Sequence, residues 1–411
     1  MRILMVQTFY YPRGGDSTYM LALSRLLEEK GHEVFPFAMK HKSNLPSSYS
    51  KYFVREIDFP ELLRQSSPRA ALTVAARSIH NSEARGSIAA LADEVKPDIA
   101  HFHNIHAHLT ASIIAPLRRR GIPIVWTLHD YRLICPNTSL LSRGELCERC
   151  LPNRFHEAIL QRCKKGSLPA SFVAMLTTCY DRLIRIPRRI DRFIAPSDFL
   201  KSKLMEGGFD AARIESVPNF VDLARYRALP EKDYFCYVGR LSYEKGVDLL
   251  IRAMAKLDGG RLLIVGGGPE EASLKKLAVE LDTKLVEFAG YRSGEELVRI
   301  LAEAQFVVLP SRWYENLPFA VMEAFASSKP VVASRIGGIP EMVEDGANGL
   351  LFPMGDVEAL ASCLKRMLGD RRMREEMGRR GREKAERLYA PEVHYARVEK
   401  IYREVIAESR A

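Results

Sequence analysis

Short runs of β-branched and apolar residues alternate along the chain with longer stretches whose apolar positions recur every three or four residues. The runs Arg2–Val6, Glu33–Phe37, Ile99–His103 and Ile122–Thr127 read as strands. Thr18–Lys30 and Ser87–Glu94 read as helices between them, with Gly31 closing the first. Arg192–Pro196 is a further expected strand, and Ser197 after it suits a helix N-cap. From Ala211 to Lys232 the rhythm breaks into a short strand, Arg213–Val217, and an irregular run through Pro230, which marks a linker. Strands then resume at Tyr234–Val238, Arg261–Val265, Leu285–Phe288, Phe306–Leu309, Pro330–Ala333 and Gly349–Phe352. Charged helical sequence from Asp356 closes the chain. Strands alternating with helices imply parallel sheets covered on both faces. The expected fold class is therefore α/β, with two Rossmann-like doubly wound domains at 1–210 and 233–390, a linker at 211–232, and a helix at 391–411 packing back toward the first domain. Domains of this kind facing one another leave a cleft at the carboxyl ends of their strands.

Composition narrows the class without choosing a function. Apolar residues make up 47% and charged ones 27% of the 411, which excludes a disordered or collagenous chain. No run approaches the roughly 20 apolar residues that span a bilayer. The opening Met1–Val6 meets polar and turn residues at once, so it reads as a strand and not a signal peptide. A cytoplasmic location is expected, with any membrane contact peripheral, at the inner face of the plasma membrane. The net charge of +10 is lopsided: residues 1–210 hold 30 basic and 20 acidic side chains, and the remainder 31 of each. A basic first half suits nucleic acid, anionic lipid or an anionic substrate, and charge alone does not select among them.

The densest chemistry lies in the second domain. Strand Phe306–Leu309 runs into Pro310-Ser311-Arg312-Trp313-Tyr314-Glu315-Asn316-Leu317-Pro318-Phe319, with Glu323 further along. Pro318 suits a first helical position, and free N–H groups of the first turn, near Leu317, Pro318 and Phe319, would face the cleft as an anion site. Glu315 and Glu323 would repel a phosphate but suit hydroxyl donors of a sugar or ribose. A capped helix with two solvated glutamates is the plainer alternative. Strand Tyr234–Val238 leads into Gly239, Arg240 and Lys245, a pattern that can clamp a diphosphate. Gly266-Gly267-Gly268 is not a dinucleotide fingerprint, because position 271 is Glu, and reads as close backbone approach to a flat ring.

In the first domain Gly14-Gly15 precede a helix and could bring amides to an anion, or form a plain turn. His101, His103, His106 and His108 crowd one strand end, where a metal site is conceivable. His129, beside Asp130 at the next strand end, is the better candidate for substrate contact. No Asp-x-Asp pair is present to hold a metal–diphosphate complex. Cys135, Cys147, Cys150 and Cys163 fall within 29 residues and include a C-x2-C step, the ligand pattern of a structural zinc, with chance clustering as the alternative. Arg182 to Arg192 interleaves cations with Leu and Ile, a solvated helix end or a contact with anionic lipid.

Glu315 and Glu323, eight apart in Glu-Asn-Leu-Pro-Phe-Ala-Val-Met-Glu, resemble the E-x7-E motif of retaining glycosyltransferases. Val-Gly-Arg-Leu with Lys245-Gly246, Val217-Pro218-Asn219, Val-Gly-Gly-Gly-Pro, Gly337-Gly338-Ile339-Pro340-Glu341, Gly14-Gly15 and Thr127-Leu128-His129-Asp130 follow the same order. Over nearly its whole length the chain resembles glycosyltransferase family 4, with the GT-B fold. That resemblance implies transfer of a sugar from a UDP- or GDP-sugar to a saccharide or lipid-linked acceptor hydroxyl, with retained configuration, no obligatory metal and no nucleic-acid partner. It implies that Arg240, Lys245, the amides at 317–319 and the Gly14-Gly15 loop meet the diphosphate. Gly239 and Gly267 would line the donor, Glu323 would hold the ribose, and Glu315, Asn316 and His129 would lie beside the sugar. The family often carries glycines where this chain has Asn316 and Pro318. A sugar-nucleotide epimerase of the same architecture and a non-catalytic sugar or polyanion binder are the competing readings.

Overall fold

In the computed structural model of the chain, residues 1–56, 76–106 and 108–410 are described. The first lobe contains β1 (Arg2–Val6), β2 (Glu33–Phe37), β3 (Ile99–Phe102), β4 (Ile124–Thr127), β5 (Leu141–Ser142), β6 (Glu145–Leu146), β7 (Arg192–Ala195) and β8 (Ile214–Ser216). Six of these form a parallel sheet in the order β2-β1-β3-β4-β7-β8, and β5 and β6 pair as a separate antiparallel hairpin. The second lobe adds β9 (Phe235–Val238), β10 (Leu262–Val265), β11 (Val286–Gly290), β12 (Val307–Leu309), β13 (Val331–Ser334) and β14 (Gly349–Phe352), parallel in the order β11-β10-β9-β12-β13-β14. Buried on both faces, the central strands are continuous apolar runs such as Ile-Val-Trp-Thr in β4.

Strand order locates the functional end of each lobe. In the first, the chain leaves β1 for β2 on one side and returns to β3 on the other. In the second it does the same from β9 to β10 and back to β12. At such a reversal the loops part and leave a crevice at the strands' carboxyl ends. The residues after β1, β3, β9 and β12 therefore frame the gap between the lobes.

Local signals set the helices. Helix α1 (Gly15–Glu29) starts where the Ser17 hydroxyl accepts from the Gly14 N–H at 3.1 Å, three residues before the expected start, and Gly31 follows its end at φ +81°. Helix α2 (Ser82–Val95) is capped by Asn81, whose side chain accepts from Ala84 N at 3.0 Å. The insert carries α3 (Glu157–Leu160), α4 (Leu168–Leu183) and α5 (Ile186–Arg189). Ser197 caps α6 (Asp198–Glu206) through Leu200 N at 3.2 Å, as its sequence position indicates. In the second lobe α7 (Val247–Met254) follows β9 and α8 (Phe319–Ala326) follows β12.

The segment read as linker, 211–232, differs in part: Ile214–Ser216 is β8, the outer strand of the first sheet, beside β7. The last helix, α9 (Pro391–Arg410), lies on the first lobe, its Val398, Ile401, Tyr402 and Val405 packed with Ile3, Met5, Leu23, Val125 and Ile194. Two chain crossings thus join the lobes, and they are bonded to each other: Val221 N donates to Tyr389 O at 3.0 Å, and His394 Nδ1 to Pro218 O at 2.7 Å.

Candidate active site

The loops after β9 and β12 touch through an ion pair. Lys245, at the end of a single helical turn, donates to Glu315 Oε1 at 2.7 Å, and Ser311 Oγ donates to the same oxygen at 2.7 Å. Glu315 is only 5% exposed. Its burial favours the neutral acid, but the Lys245 charge and hydrogen bonds from Lys245 and Ser311 outweigh burial and hold the carboxyl below its usual range. The Lys245 ammonium also lies 5.0 Å over the Trp313 ring. Arg312 fixes the loop by pairing both guanidinium arms with Asp248 on α7 at 2.6 Å each.

Glu323 sits one turn into α8, where its Oε1 accepts from the Tyr226 hydroxyl at 3.0 Å. Burial pushes its carboxyl up to about 7, against the opposing effects of Tyr226 and Arg225. Pro318 is the N-cap of α8 and not its first helical residue; its carbonyl accepts from Val321 N at 3.1 Å. The amides of Phe319 and Ala320 are left for other partners at that end. Leu317 is buried beneath the loop in the second lobe's core.

The Gly266-Gly268 run serves the protein's own backbone. A Cβ at Gly266 would fall 1.8 Å from the Gly239 carbonyl oxygen, and one at Gly268 2.2 Å from that of Leu241. Close approach to a flat ring is therefore not what these two glycines supply; they let the β9 and β10 loops lie against one another. Gly267 differs, with only Glu271 Oε2 near its Cβ position, at 3.8 Å. Arg240 lies exposed beside this junction, its carbonyl accepting from Tyr237 Oη at 2.8 Å.

The first lobe meets this region through contacts that include the following. A Cβ on Gly15 would lie 3.3 Å from the Phe319 ring, so the first residue of α1 abuts the start of α8. Asn316 Nδ2 donates to the His129 carbonyl at 2.8 Å, and Tyr131 Oη to the Tyr314 carbonyl at 3.1 Å. The asparagine that departs from the family's glycine is thus a bond between lobes.

His129 heads a buried relay. Its Nε2 lies 3.1 Å from His103 Nδ1, and His103 Nε2 lies 3.0 Å from Met5 Sδ. Sulfur accepts weakly and donates nothing, so the consistent tautomers put a proton on His103 Nε2 and one on His129 Nε2, leaving His129 Nδ1 as an acceptor. Burial drives the His129 pKa down to about 4, with the Asp16 charge opposing, so the ring is neutral at physiological pH. Asp16, in the first turn of α1, accepts from Gln7 at 3.1 Å and Asn104 at 3.3 Å. Sequence reasoning missed Asp16, Trp313 and Tyr226. Asp16 was the one with a signal, an acid in a helix's first turn directly after two glycines.

Among the described residues no three His, Cys, Asp or Glu side chains are arranged to hold an ion. His101 is committed to the Tyr402 hydroxyl at 2.5 Å and Thr127 Oγ1 at 2.7 Å, and His103 to His129 and Met5. Of the four cysteines read as zinc ligands, Cys150 packs against Phe155 and Ala158, and Cys163 Sγ lies 3.4 Å from Ser142 Oγ. Burial, with the nearby Cys135, Cys163 and Cys147, pushes the Cys150 thiol up to about 12, and burial also raises Cys135. The four cysteines are thus neighbours in the insert, with Cys135, Cys147 and Cys163 all near enough to act on the Cys150 thiol.

Two family models cover most of the chain: "Glycosyltransferase Family 4" matches residues 13–225 and "Glycosyl transferases group 1" residues 222–384. An alpha-D-kanosaminyltransferase from Streptomyces kanamyceticus is 28% identical over 285 residues, covering 66% of this chain and 70% of that protein. A sulfoquinovosyl transferase from Arabidopsis thaliana is 38% identical over 161 residues, which are 38% of this chain and 31% of that protein. Among solved structures, sucrose-phosphate synthase from Thermosynechococcus elongatus aligns at TM-score 0.73 and 21% identity over 99% of both chains. Anabaena HepE in complex with UDP-glucose aligns at TM-score 0.65 and 17% identity over 98% of this chain and all of that one. These structural likenesses establish the two-lobed GT-B fold.

Proposed function

The chain belongs to glycosyltransferase family 4, and from that premise we propose that it moves a sugar from a nucleotide-diphosphate sugar to an acceptor hydroxyl with retained configuration and no metal ion in the transfer step. The observation that carries the reading is the Lys245–Glu315 contact at the strand-order reversal of the second lobe, closed from above by the first lobe through Asn316 and the Gly15–Phe319 approach. The donor's diphosphate lies against Arg240, Lys245, Gly239 and Gly267, between the amide-rich starts of α1, at Gly14-Gly15, and α8. Negative charge grows on the departing phosphate, and fixed cations and amides that already point there stabilise it without reorganising. Glu323 accepts hydrogen bonds from the ribose hydroxyls, exchanging the Tyr226 hydroxyl for the ligand. Glu315, kept ionised by Lys245, takes hydroxyl donors of the sugar.

Neutral His129 faces the sugar as a hydrogen-bond acceptor through Nδ1, and the buried relay behind it fixes that tautomer. The donor base is uracil or guanine, and the UDP-glucose complex of HepE is a comparison that favours uracil. The acceptor, a saccharide or a lipid-linked sugar used in glycan synthesis, approaches from the first lobe.

The test is turnover of UDP- and GDP-sugars with mixed saccharide and lipid-linked acceptors, reading nucleoside diphosphate release and the product anomer by NMR. Release that depends on acceptor and gives the donor's anomeric configuration is expected, lowered by about 10²–10³-fold in Lys245→Ala. Release of an altered free nucleotide-sugar without acceptor would mean an epimerase. Unchanged rates in Lys245→Ala and Glu323→Ala would remove both assignments.

A further inference from the structure

Helix α4 is built inside out. Its buried positions are Ser171, Ala174, Thr177 and Thr178. The hydroxyls are satisfied on the helix itself, Ser171 on Ser167 O at 2.8 Å and both threonines on Ala174 O at 2.9 Å. Its outward positions are apolar: Leu168 is 48% exposed, Phe172 45% and Leu183 78%, with Leu176 half-buried between them. Spacings of four, four and seven residues place these side chains in one stripe. Leu160, 64% exposed at the end of α3, extends it. A helix settled only by its own lobe's core would show the reverse pattern.

Cations bracket the stripe. Arg162 and Lys165 are exposed before it, and Arg185, Arg188 and Arg189 after it. From Arg154 to Arg189 the chain carries eight basic residues against two acidic ones. Of those two, Glu157 is paired with Arg154 at 3.2 Å, and Asp181 is buried, which pushes its carboxyl up to about 7 against the opposing charges of Arg132 and Arg182. The basic run singled out in the sequence is only partly available: Arg182 turns inward to the Gly207 carbonyl at 2.6 Å, and Arg192 is held by the Ala212 carbonyl at 2.8 Å and Glu408 at 2.7 Å.

An apolar stripe flanked by cations, on a helix lying flat against its lobe, matches a bilayer surface: the apolar side chains enter the acyl boundary while the cations meet anionic headgroups. No helix among the described residues is long and apolar enough to cross a membrane, so this contact is a surface one. A second copy of the chain is disfavoured as the occupant, because it would bring two cationic rims together. We propose that α4, with the ends of α3 and α5, is a docking surface for an anionic lipid bilayer. Arg132, three residues after His129, reaches Thr177 on the inner face of α4 at 2.5 Å, which ties this surface to the loop framing the first lobe's side of the cleft. A lipid-linked acceptor would then meet the cleft without leaving the membrane plane. The surface itself stands apart from the donor-site assignment.

The experiment is co-sedimentation of the full chain with vesicles of phosphatidylcholine alone and of phosphatidylcholine mixed with phosphatidylglycerol, at low and high salt. The chain should pellet with the mixed vesicles and be released by salt. Phe172→Ser/Leu183→Ser should weaken binding strongly, and Arg188→Glu/Arg189→Glu by about a hundredfold or more. All these positions are exposed, so circular dichroism should show folded variants. A chain that stays in the supernatant with anionic vesicles, or one whose binding survives both variants, would overturn the proposal. So would a dimer in sedimentation velocity that Phe172→Ser/Leu183→Ser dissolves, which would assign the stripe to a second copy.

Discussion

Replacing Lys245 with Met keeps the side chain's length and removes its ammonium, leaving Glu315 buried with Ser311 at 2.7 Å as its remaining close donor. Breaking a buried pair from one side costs about 3–5 kcal/mol, because the surviving charge is uncompensated. The Lys245 side chain is 21% exposed against 6% for Glu315, so water can enter from the lysine side, and about 3 kcal/mol is the expected loss at neutral pH. The pH dependence is the sharper signature. In the native protein the Glu315 pKa is depressed, so its stabilisation is present above its unfolded value and is lost as pH falls through the folded one. In Lys245→Met burial acts without the ammonium, the folded pKa rises above the unfolded value, and stability falls as pH increases. The two proteins should therefore converge in acid and diverge between about pH 4 and 7. Urea unfolding across that range for the native protein, Lys245→Met, Glu315→Gln and the double variant reads both effects, with a coupling energy of about 2–3 kcal/mol expected. A loss under about 1 kcal/mol that does not change with pH would refute the reasoning.

Glu323→Gln should flatten a second pH dependence of opposite sign. With its carboxyl raised to about 7, Glu323 contributes stability that is present below its unfolded pKa and lost as pH rises through 7, which unfolding midpoints at pH 5 and 8 will show as a gap absent from the variant. Gly338→Ala would set a Cβ 1.9 Å from the Asn316 carbonyl oxygen; nucleotide-sugar turnover should drop sharply while circular dichroism stays native-like, and normal turnover would contradict the loop's assigned rigidity. Asn316→Ala removes the 2.8 Å bond to His129 and should raise the donor KM and broaden the distribution of lobe separations in small-angle scattering, with unchanged values counting against that bond as a closure contact.

Much of the scaffold was legible in the chain because parallel strands buried on both faces leave an unmistakable trace. Gly349–Phe352 and Arg2–Val6 begin and end where the apolar run does. Ser197 announced its helix because capping is a local interaction. The strand at β8 was legible, read as Arg213–Val217, but its place was not: Ile214–Ser216 is short and sits at a sheet edge, so only its pairing with β7 assigns it to the first lobe and not to a linker. The insert resisted for another reason. The apolar stripe of α4 faces outward, so the pattern that normally marks a core-facing helix carried no such meaning there. Within the site, Glu315 and Lys245 were identifiable from motif order, but their direct contact was not, since it closes a separation of 70 residues. Asp16 and Tyr226 act through neighbours that only the folded chain supplies. The glycine run after β10 misled because two glycines can serve a ligand's approach or another loop's backbone equally well, and Gly266 and Gly268 do the latter.

A crystal structure grown with UDP and, separately, GDP tests the central claim most directly. The account predicts the diphosphate between the starts of α1 and α8, within hydrogen-bonding reach of Lys245 Nζ and the Phe319 amide, with the ribose hydroxyls on Glu323. A nucleotide seated in the first lobe, or one in the second lobe whose phosphates avoid Lys245 and α8, would contradict it.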